Sequence, residues 1–361
     1  MTSPSHGQLS RRTLFAASGG AALAAGLLGA GATAAAAQTT SEPTPVPGTG
    51  THVVTLGTAA GPAIRGPRIG ISTAVVVDGH LYLIDCGLGM ARQATAAGLT
   101  MDRLRALFLT HLHSDHISEL PGLLLYNWGP GVKGIVEPVR ILGPGPAPLP
   151  HGAEVHVPPA EAGTERFVRD LLKAYAYDIN IRVFDEGRAP LNDLVQPEDV
   201  RLPEAVPADP DRNPSPEMEP FQVYEDEHIR VLAILVNHPP VFPSFAFRFE
   251  STDGSVVISG DTTEHPNVVR LATDADVLVH EAINPAFYRA QGLPPAQLEH
   301  ILESHTDLEA VGRVARDAAV GHLVLSHLGG IQGDADAAPT RAVFEGPVTV
   351  AADGQVFRVG G

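Results

Sequence analysis

The sequence predicts an α/β protein, because short apolar runs alternate with stretches of helical periodicity along most of the chain. Two strand-rich halves flank a segment rich in proline and acidic residues, residues 143–222, which we interpret as an insertion between them. The chain has 361 residues, of which 44% are hydrophobic and only 18% charged. This composition supports a sizeable buried core and excludes a largely disordered protein.

The first half has the pattern of four strands and two helices. Runs rich in leucine or β-branched residues, bounded by glycine or aspartate, predict strands at residues 53–56, 73–77, 81–84 and 106–110. Apolar residues at helical spacing predict helices over residues 90–97 and 117–126. Strands and helices therefore alternate, as in one sheet of an α/β fold and the helices that cover it.

The insertion and the second half continue this alternation. Within the insertion, Phe167, Leu171 and Tyr175 lie at helical spacing and predict a helix over residues 161–177. Further strands are predicted at residues 229–236, 245–250, 256–259, 277–279 and 323–325, and a helix at 308–319. Thr306 and Glu309 have the spacing of a capping box, which predicts that Thr306 is the N-cap of this last helix.

The N-terminal 37 residues have the features of an export signal rather than of a folded element. Arg11 and Arg12 precede an uncharged run rich in alanine and glycine that ends in three alanines, residues 35–37. The pattern resembles a twin-arginine signal peptide, which implies recognition by the twin-arginine export machinery and a periplasmic, cell-wall or extracellular protein. A retained membrane anchor is the alternative, but the many glycines and alanines make a stable anchor unexpected. Residues 38–51 are predicted to be a linker, and residues 52–361 the folded domain.

Charge and cysteine content exclude other classes of protein. The chain has 41 acidic against 24 basic residues, a net charge of −17, and its only lysines are Lys133 and Lys173. Because an acidic surface repels a phosphate backbone, nucleic acid is an unexpected partner. Cys86 is the only cysteine, so neither an intramolecular disulfide nor a cysteine-only zinc site can form.

The strongest chemical signal is the sequence HLHSDH at residues 111–116, directly after the fourth predicted strand. A tight loop at a strand end can direct His111 and His113 towards one metal ion, and Asp115 and His116 towards an adjacent one. Three histidines and an aspartate within six positions rarely arise from packing alone. Zn²⁺ is the default ion for such ligands, although manganese or iron could occupy the same site.

The HxHxDH pattern resembles that of the metallo-β-lactamase-fold hydrolases, and further motifs of this family follow in order. The resemblance implies a four-layer αβ/βα sandwich with two Zn²⁺ ions. The resemblance makes Asp85 in IDCG a supporting aspartate and His238 in LVNH a histidine ligand. It makes Asp261 in SGDT a bridging aspartate and His327 in LSHL the last histidine ligand. Taken singly, each could instead be a structural histidine or a turn aspartate. Together with His111, His113, Asp115 and His116, they form the predicted metal centre.

Two further motifs, HEA at residues 280–282 and SHT at residues 304–306, resemble the ribonuclease Z and arylsulfatase-like branch of this family. The resemblance implies that Glu281 orients His305, and that His305 stabilises or protonates the departing oxygen. The predicted catalytic set is therefore His305, Glu281 and Asp115. The alternative for His305 is a structural residue at the start of a helix, and His280 is expected only to fill space.

These features predict an exported binuclear metal-dependent hydrolase, in which a hydroxide bridging the metals attacks a phosphodiester or an aryl sulfate ester of a small molecule. One alternative is a lactone or β-lactam hydrolase of the same fold. Another is a ribonuclease Z-like endonuclease, which the acidic charge, the acidic insertion and the export signal oppose. The alternative from another class is a non-catalytic exported metal-binding protein, against which the Glu281 and His305 motifs argue. The sequence does not predict an oligomeric state.

Overall fold

The computed structural model describes residues 45–158 and 161–360, so the predicted signal peptide and most of the predicted linker lie outside the described residues. Within these ranges the strands form two seven-stranded mixed sheets. In chain order the strands are β1 (Thr51–Gly57), β2 (Ser72–Val77), β3 (His80–Ile84), β4 (Leu104–Phe108), β5 (Val139–Pro144), β6 (Val195–Val200), β7 (Phe221–Glu225), β8 (Arg230–Leu235), β9 (Phe245–Ser251), β10 (Gly254–Ile258), β11 (Val277–Ile283), β12 (His322–Gly329), β13 (Val348–Val350) and β14 (Gln355–Arg358).

The two sheets have similar topologies. The first sheet has the order β14-β1-β2-β3-β4-β5-β6, and the second has the order β13-β12-β11-β10-β9-β8-β7. In each sheet one part is antiparallel and the other is parallel, with the change at β3 in the first sheet and at β10 in the second. The carboxyl ends of the parallel strands therefore gather at one edge of each sheet.

Helices cover the outer faces of both sheets. In chain order they are α1 (Met90–Ala96), α2 (Ser114–Ile117), α3 (Leu120–Tyr126), α4 (Thr164–Ala174), α5 (Ala176–Glu186), α6 (Leu191–Leu194), α7 (Pro266–Ala272), α8 (Pro285–Ala290), α9 (Pro295–Ser304), α10 (Leu308–Asp317) and α11 (Ala338–Val343). Helices α1, α3 and α4 pack on the first sheet, and α7 and α10 on the second. None of the helices in residues 45–158 and 161–360 combines the length and apolar character needed to cross a bilayer.

The central strands are buried along their whole length because apolar side chains pack against both of their faces. Val53 packs in the cluster between the two sheets, whereas its neighbour Val54 packs in the cluster beneath the helices of the first sheet. Successive side chains of a strand point to opposite faces, so both faces of β1 must be apolar. Across the central layer, the rings of Phe108 and Phe249 lie 5.2 Å apart between centroids, in an edge-to-face arrangement. The predicted α/β sandwich, with two sheets between helical layers, is confirmed.

The segment 143–222 contributes to the first sheet as well as to the surface. Strand β6 lies within it and pairs with β5 in parallel, which makes it the outermost strand of the first sheet. Pro197 in this strand is tolerated because an edge strand has one side without a pairing partner. The single helix predicted over 161–177 is instead two helices, because the backbone leaves helical geometry at Tyr175, between α4 and α5.

The capping box predicted at the start of α10 is wrong by one residue. Asp307 is the N-cap, and its carboxylate accepts hydrogen bonds of 2.9 Å from the backbone N–H groups of Glu309 and Ala310. The Thr306 hydroxyl instead donates to the carbonyl oxygen of Thr262, at 2.5 Å. Thr306 thus joins α10 to the loop after β10.

Candidate active site

The structure places all the predicted site residues at one edge of the sandwich, where strands of both sheets end. Asp85 follows β3, and residues 111–116 follow β4. In the second sheet, His238 follows β8 and Asp261 follows β10, while Glu281 and His327 lie near the carboxyl ends of β11 and β12. His305 directly follows α9. Residues that are far apart in the sequence are therefore brought together by the topology.

Three imidazoles form the first group that could hold a cation. Nitrogen atoms of His111, His113 and His238 lie within 4.8 Å of one another. His238 Nε2 is 3.3 Å from His113 Nδ1, while His238 Nδ1 lies 2.9 Å from the carbonyl oxygen of Ser304. Because a carbonyl oxygen only accepts, His238 Nδ1 carries the proton and Nε2 is left to bind a metal.

A second group lies beside the first and contains Asp115, His116 and His327. Asp115 Oδ2 is 3.6 Å from His116 Nε2 and 3.4 Å from His327 Nε2. Burial would raise the pKa of the Asp115 carboxyl, but the neighbouring His116 and His327 hold it below its usual range. An ionised carboxylate and two imidazoles are ligands that suit a divalent cation.

Asp261 lies between the two groups. Its Oδ2 atom is 3.3 Å from His116 Nε2 and 3.4 Å from His327 Nε2. The same oxygen is 3.8 Å from His111 Nε2 and 4.0 Å from His238 Nε2. Gly260 permits this placement, since its φ of 59° is left-handed and a Cβ atom would come within 2.9 Å of Thr110 Cβ. Asp261 is thus positioned to bridge two cations.

Unpartnered buried atoms show that these side chains fit metal ions. His111 Nε2, His116 Nε2 and Asp261 Oδ1 are buried and have no hydrogen-bond partner among the described residues. Leaving a buried polar atom unpaired costs about 1–3 kcal/mol, so three such atoms on neighbouring side chains need an explanation. Cations bound between these atoms would satisfy all three. The histidine and aspartate donors are typical of zinc sites.

Protonation states of the buried histidines differ with the carboxylates around them. Burial lowers the pKa of His238 to about 3 and holds the pKa of His111 well below its usual range, so both rings are neutral. Burial would also lower the pKa of His116, but Asp261, Asp85 and Asp115 raise it well above its usual value. A cation at His116 Nε2 would therefore displace a proton that the charges of these carboxylates favour; Asp261 and Asp115 face Nε2, whereas Asp85 faces Nδ1.

Asp85 fixes the loop that carries the candidate metal ligands through several hydrogen bonds. Its carboxylate accepts from the backbone N–H and the hydroxyl of Thr110, both at 2.8 Å. Its Oδ2 atom is also 2.8 Å from His116 Nδ1, so Nδ1–H donates there and Nε2 faces the metal site. Asp85 has a φ of 58°, an uncommon conformation for a residue with a side chain.

A bulge directs His327 into the site. In the pairing of β11 with β12, Glu281 pairs with Ser326 and the next residue, Ala282, pairs with Leu328. His327 is the extra residue and has a φ of 45°. Bulges of this kind re-aim one side chain of a strand, here towards Asp115 and Asp261.

Glu281 and His305 form a hydrogen-bonded pair next to the metal site. Glu281 Oε1 lies 3.0 Å from His305 Nδ1 and also accepts from the backbone N–H groups of Thr262 and Thr306. Burial would lower the pKa of His305, but the charge of Glu281 and this hydrogen bond raise it to about 9. Since Nδ1–H is directed to Glu281, Nε2 is the atom left to exchange a proton with a substrate.

The sequence predicts no role for His300, and none for Ser304 beyond its place in the SHT motif, yet both residues of α9 belong to this site. Ser304 accepts from His238 through its carbonyl oxygen, as described above. The His300 ring lies 6.1, 6.3 and 6.4 Å between centroids from the rings of His238, His305 and His113. His300 and Ser304 are four residues apart, on one face of a helix that leads directly to the SHT motif, and this spacing was the available signal.

The fold and the site define a metal-dependent hydrolase. The sequence matches the metallo-beta-lactamase superfamily over residues 65–281, and the chain belongs to that superfamily. Ribonuclease Z of Mycolicibacterium gilvum (strain PYR-GCK) is 31% identical over 276 residues, which is 76% of this chain and 83% of that protein. Ribonuclease Z of Mycobacterium sp. (strain KMS) is 33% identical over the same lengths. The ribonuclease Z-like alternative is thus better supported than a small-molecule esterase.

Solved structures show the same fold at lower identity. Human tRNase Z, short form, has a TM-score of 0.56 and 22% identity, and the match covers 85% of this chain and 99% of that one. Zn(2+)-bound PqqB from Methylobacterium extorquens has a TM-score of 0.54 and 17% identity, covering 85% of this chain and all of the other. These similarities concern the fold alone.

Proposed function

We propose that this protein is a phosphodiesterase of the ribonuclease Z type, with ribonucleotide phosphodiesters as its substrate class. The observation that carries the proposal is the Glu281–His305 pair, 3.0 Å apart, beside the proposed bridging residue Asp261. A non-catalytic metal-binding protein would not need an acid–base pair at that position. The ribonuclease Z relatives, at 31–33% identity over most of their length, support the same choice.

The arrangement of residues suits hydrolysis of a phosphodiester. Divalent cations held by the two ligand groups would supply an activated water and would neutralise charge on the phosphoryl oxygens. His305, kept protonated by Glu281, donates its Nε2 proton to the leaving oxygen as the bond from phosphorus to that oxygen breaks. Ser304 and Asp85 hold His238 and His116 in fixed orientations throughout.

Charge favours a short substrate over a long folded RNA. The arginines of α4 and α5 that form ion pairs do so with acidic residues of their own helix, for example Arg169 with Glu165 and Arg182 with Asp178. These pairs leave no continuous basic stripe on that part of the surface. With a net charge of −17, the chain would repel a long polyanion much more than a dinucleotide.

The test is to assay the full chain, loaded with zinc, against several ester classes. We expect hydrolysis of bis(4-nitrophenyl) phosphate and of a ribodinucleotide, and much slower processing of a precursor transfer RNA. An aryl sulfate, a lactone and a β-lactam should react far more slowly still. Efficient hydrolysis of one of these three compounds, with no turnover of either phosphodiester, would overturn the proposal.

We also propose that the protein is exported by the twin-arginine machinery, on the basis of Arg11 and Arg12 and the uncharged run that follows. Replacing both arginines by lysine should leave the protein in the cytoplasm, as measured by cell fractionation. Export that is unchanged in the double variant would contradict this assignment.

A further inference from the structure

His300 lies at the site but outside both ligand groups. The rings of His111, His113 and His238 are 4.8 to 5.1 Å apart between centroids, whereas His300 is 6.1 Å or more from its neighbouring rings. His238 is fully buried, but His300 is only partly buried. This ring is therefore a partly exposed neighbour of the first ligand group and of His305.

The hydrogen bonds of Ser304 determine which nitrogen of His300 carries a proton. The Ser304 hydroxyl has one hydrogen, and it is donated to the carbonyl oxygen of Pro239. Ser304 Oγ must then act as the acceptor in its 3.1 Å contact with His300 Nδ1, so Nδ1 carries the hydrogen. The neutral ring consequently has a lone pair on Nε2, and no hydrogen bond to this atom is formed within the described ranges.

Ser304 holds this ring rigidly. The residue is 1% exposed, and its carbonyl oxygen simultaneously accepts from His238 Nδ1. One buried serine therefore orients both a metal ligand and His300. A side chain fixed in this way before substrate arrives loses little conformational freedom on binding.

We propose that His300 is a substrate-binding residue whose Nε2 accepts a hydrogen bond from a sugar hydroxyl adjacent to the scissile phosphodiester. A lone pair repels anionic phosphoryl oxygens, so the group that it binds must be a donor. The 2′-hydroxyl of a ribonucleotide is such a donor, and the 6.3 Å between the His300 and His305 rings allows one nucleotide to contact both. The inference rests on the proposed phosphodiesterase function and adds selection of ribose over deoxyribose.

The experiment compares three substrates with the zinc-loaded full chain. They are a ribodinucleotide, the same dinucleotide with 2′-deoxyribose, and bis(4-nitrophenyl) phosphate, which has no hydroxyl. A single hydrogen bond changes kcat/KM by about three- to tenfold, so the unaltered enzyme should prefer the ribodinucleotide by about that factor. His300→Ala should abolish this preference, so its loss in kcat/KM should be about three- to tenfold larger for the ribodinucleotide than for the deoxydinucleotide or bis(4-nitrophenyl) phosphate. His300→Gln, whose amide oxygen can accept a hydrogen bond, should restore part of the preference.

His322 provides a matched control. It is also partly buried, it also contacts a hydroxyl, that of Thr349 at 2.9 Å, and it lies at the opposite end of β12 from His327. His322→Ala should leave the ribose preference unchanged. Zinc content and the circular dichroism spectrum of each variant report directly on metal binding and folding.

The possible outcomes separate this inference from the proposed function. Equal turnover of the two dinucleotides by the unaltered enzyme would overturn the role of His300 while leaving a phosphodiesterase. A His300→Ala variant that loses zinc, or that slows all three substrates equally, would also overturn it, because His300 would then act on the metal site. Absence of turnover of every phosphodiester would contradict the proposed function itself.

Discussion

Two aspartates of the second sheet, Asp226 in the turn before β8 and Asp261 after the carboxyl end of β10, show how differently one side chain can be used. Asp226 accepts four hydrogen bonds, from the hydroxyls of Tyr82 and Tyr224 and from the backbone N–H groups of His228 and Ile229. Asp261 instead has one oxygen surrounded by imidazoles and another with no partner among the described residues. A satisfied carboxylate holds two sheets together, whereas an unsatisfied one within a group of histidines indicates a cation site.

Replacement of Asp261 should have the largest effect. Asp261→Ala removes the proposed bridge between the two ligand groups, so the protein should lose bound metal and activity together. We expect turnover to fall by more than about 10⁴-fold, since enzymes commonly accelerate reactions by about 10⁶-fold or more. Metal content by atomic absorption and initial rates measure both effects. A variant with full metal content and normal turnover would show that Asp261 is not a ligand.

Replacement of His305 should separate chemistry from metal binding. His305→Ala should retain its metal and lower kcat by about 10²- to 10⁴-fold, because general acid catalysis contributes about that much. The loss should be smallest for bis(4-nitrophenyl) phosphate, whose leaving group needs little protonation. An equal loss for substrates with poor and good leaving groups would argue against proton donation by His305.

Replacement of Asp85 should weaken metal binding without abolishing it. Asp85→Asn keeps the shape of the side chain but removes the charge that faces His116 Nδ1. Loss of such a supporting carboxylate typically lowers metal affinity by about 10- to 100-fold. Competition with a zinc chelator measures the affinity. An unchanged dissociation constant would remove Asp85 from the metal-supporting role.

Replacement of Asp226 should have the smallest effect on activity and is the control for Asp261. Asp226→Asn leaves tyrosine hydroxyls without their charged acceptor, and we expect a loss of about 1–3 kcal/mol in the free energy of unfolding at pH 7. Metal content and turnover should not change. Denaturant titration measures the loss.

The pH dependence of this loss has a definite sign. Burial would raise the pKa of Asp226, but its hydrogen bonds, first that from the backbone of His228, lower it. The stabilisation is therefore complete above the unfolded pKa of about 3.9 and is lost as the pH falls through the lower folded value. The difference between Asp226→Asn and the unaltered protein should shrink below about pH 4, and a difference that grows there would contradict this account.

The surroundings of Asp261 and those of Asp226 also differ in how far the sequence could predict them. Residues 111–116 are consecutive and follow an apolar strand, so their local pattern is sufficient to predict a metal site. The His238–Ser304 and His300–Ser304 contacts depend on where α9 packs, which no local pattern determines. The Asp226 cluster was not predicted, because an aspartate in a turn between two strands is common and its tyrosine partners come from different sheets.

The fold was predictable at most of the buried apolar runs, although not at the buried strand β5, and was less so at the edges of the sheets. Strand β6 contains Pro197 and acidic residues and is only partly buried, so its sequence does not show a strand pattern. Strands β13 and β14 are three and four residues long, too short for a clear periodicity. These edge strands are specified by pairing with the preformed sheet rather than by their own composition.

The pairing of β14 with β1 has a consequence for synthesis of the chain. His52 pairs with Arg358, so the strand that covers one edge of β1 is translated 306 residues later (358 − 52 = 306). Until then the polar backbone groups of that edge are exposed on the ribosome and open to pairing with another chain. The first sheet is therefore complete only once β14 has been synthesised, and the long sequence separation of this contact is of the kind that slows folding.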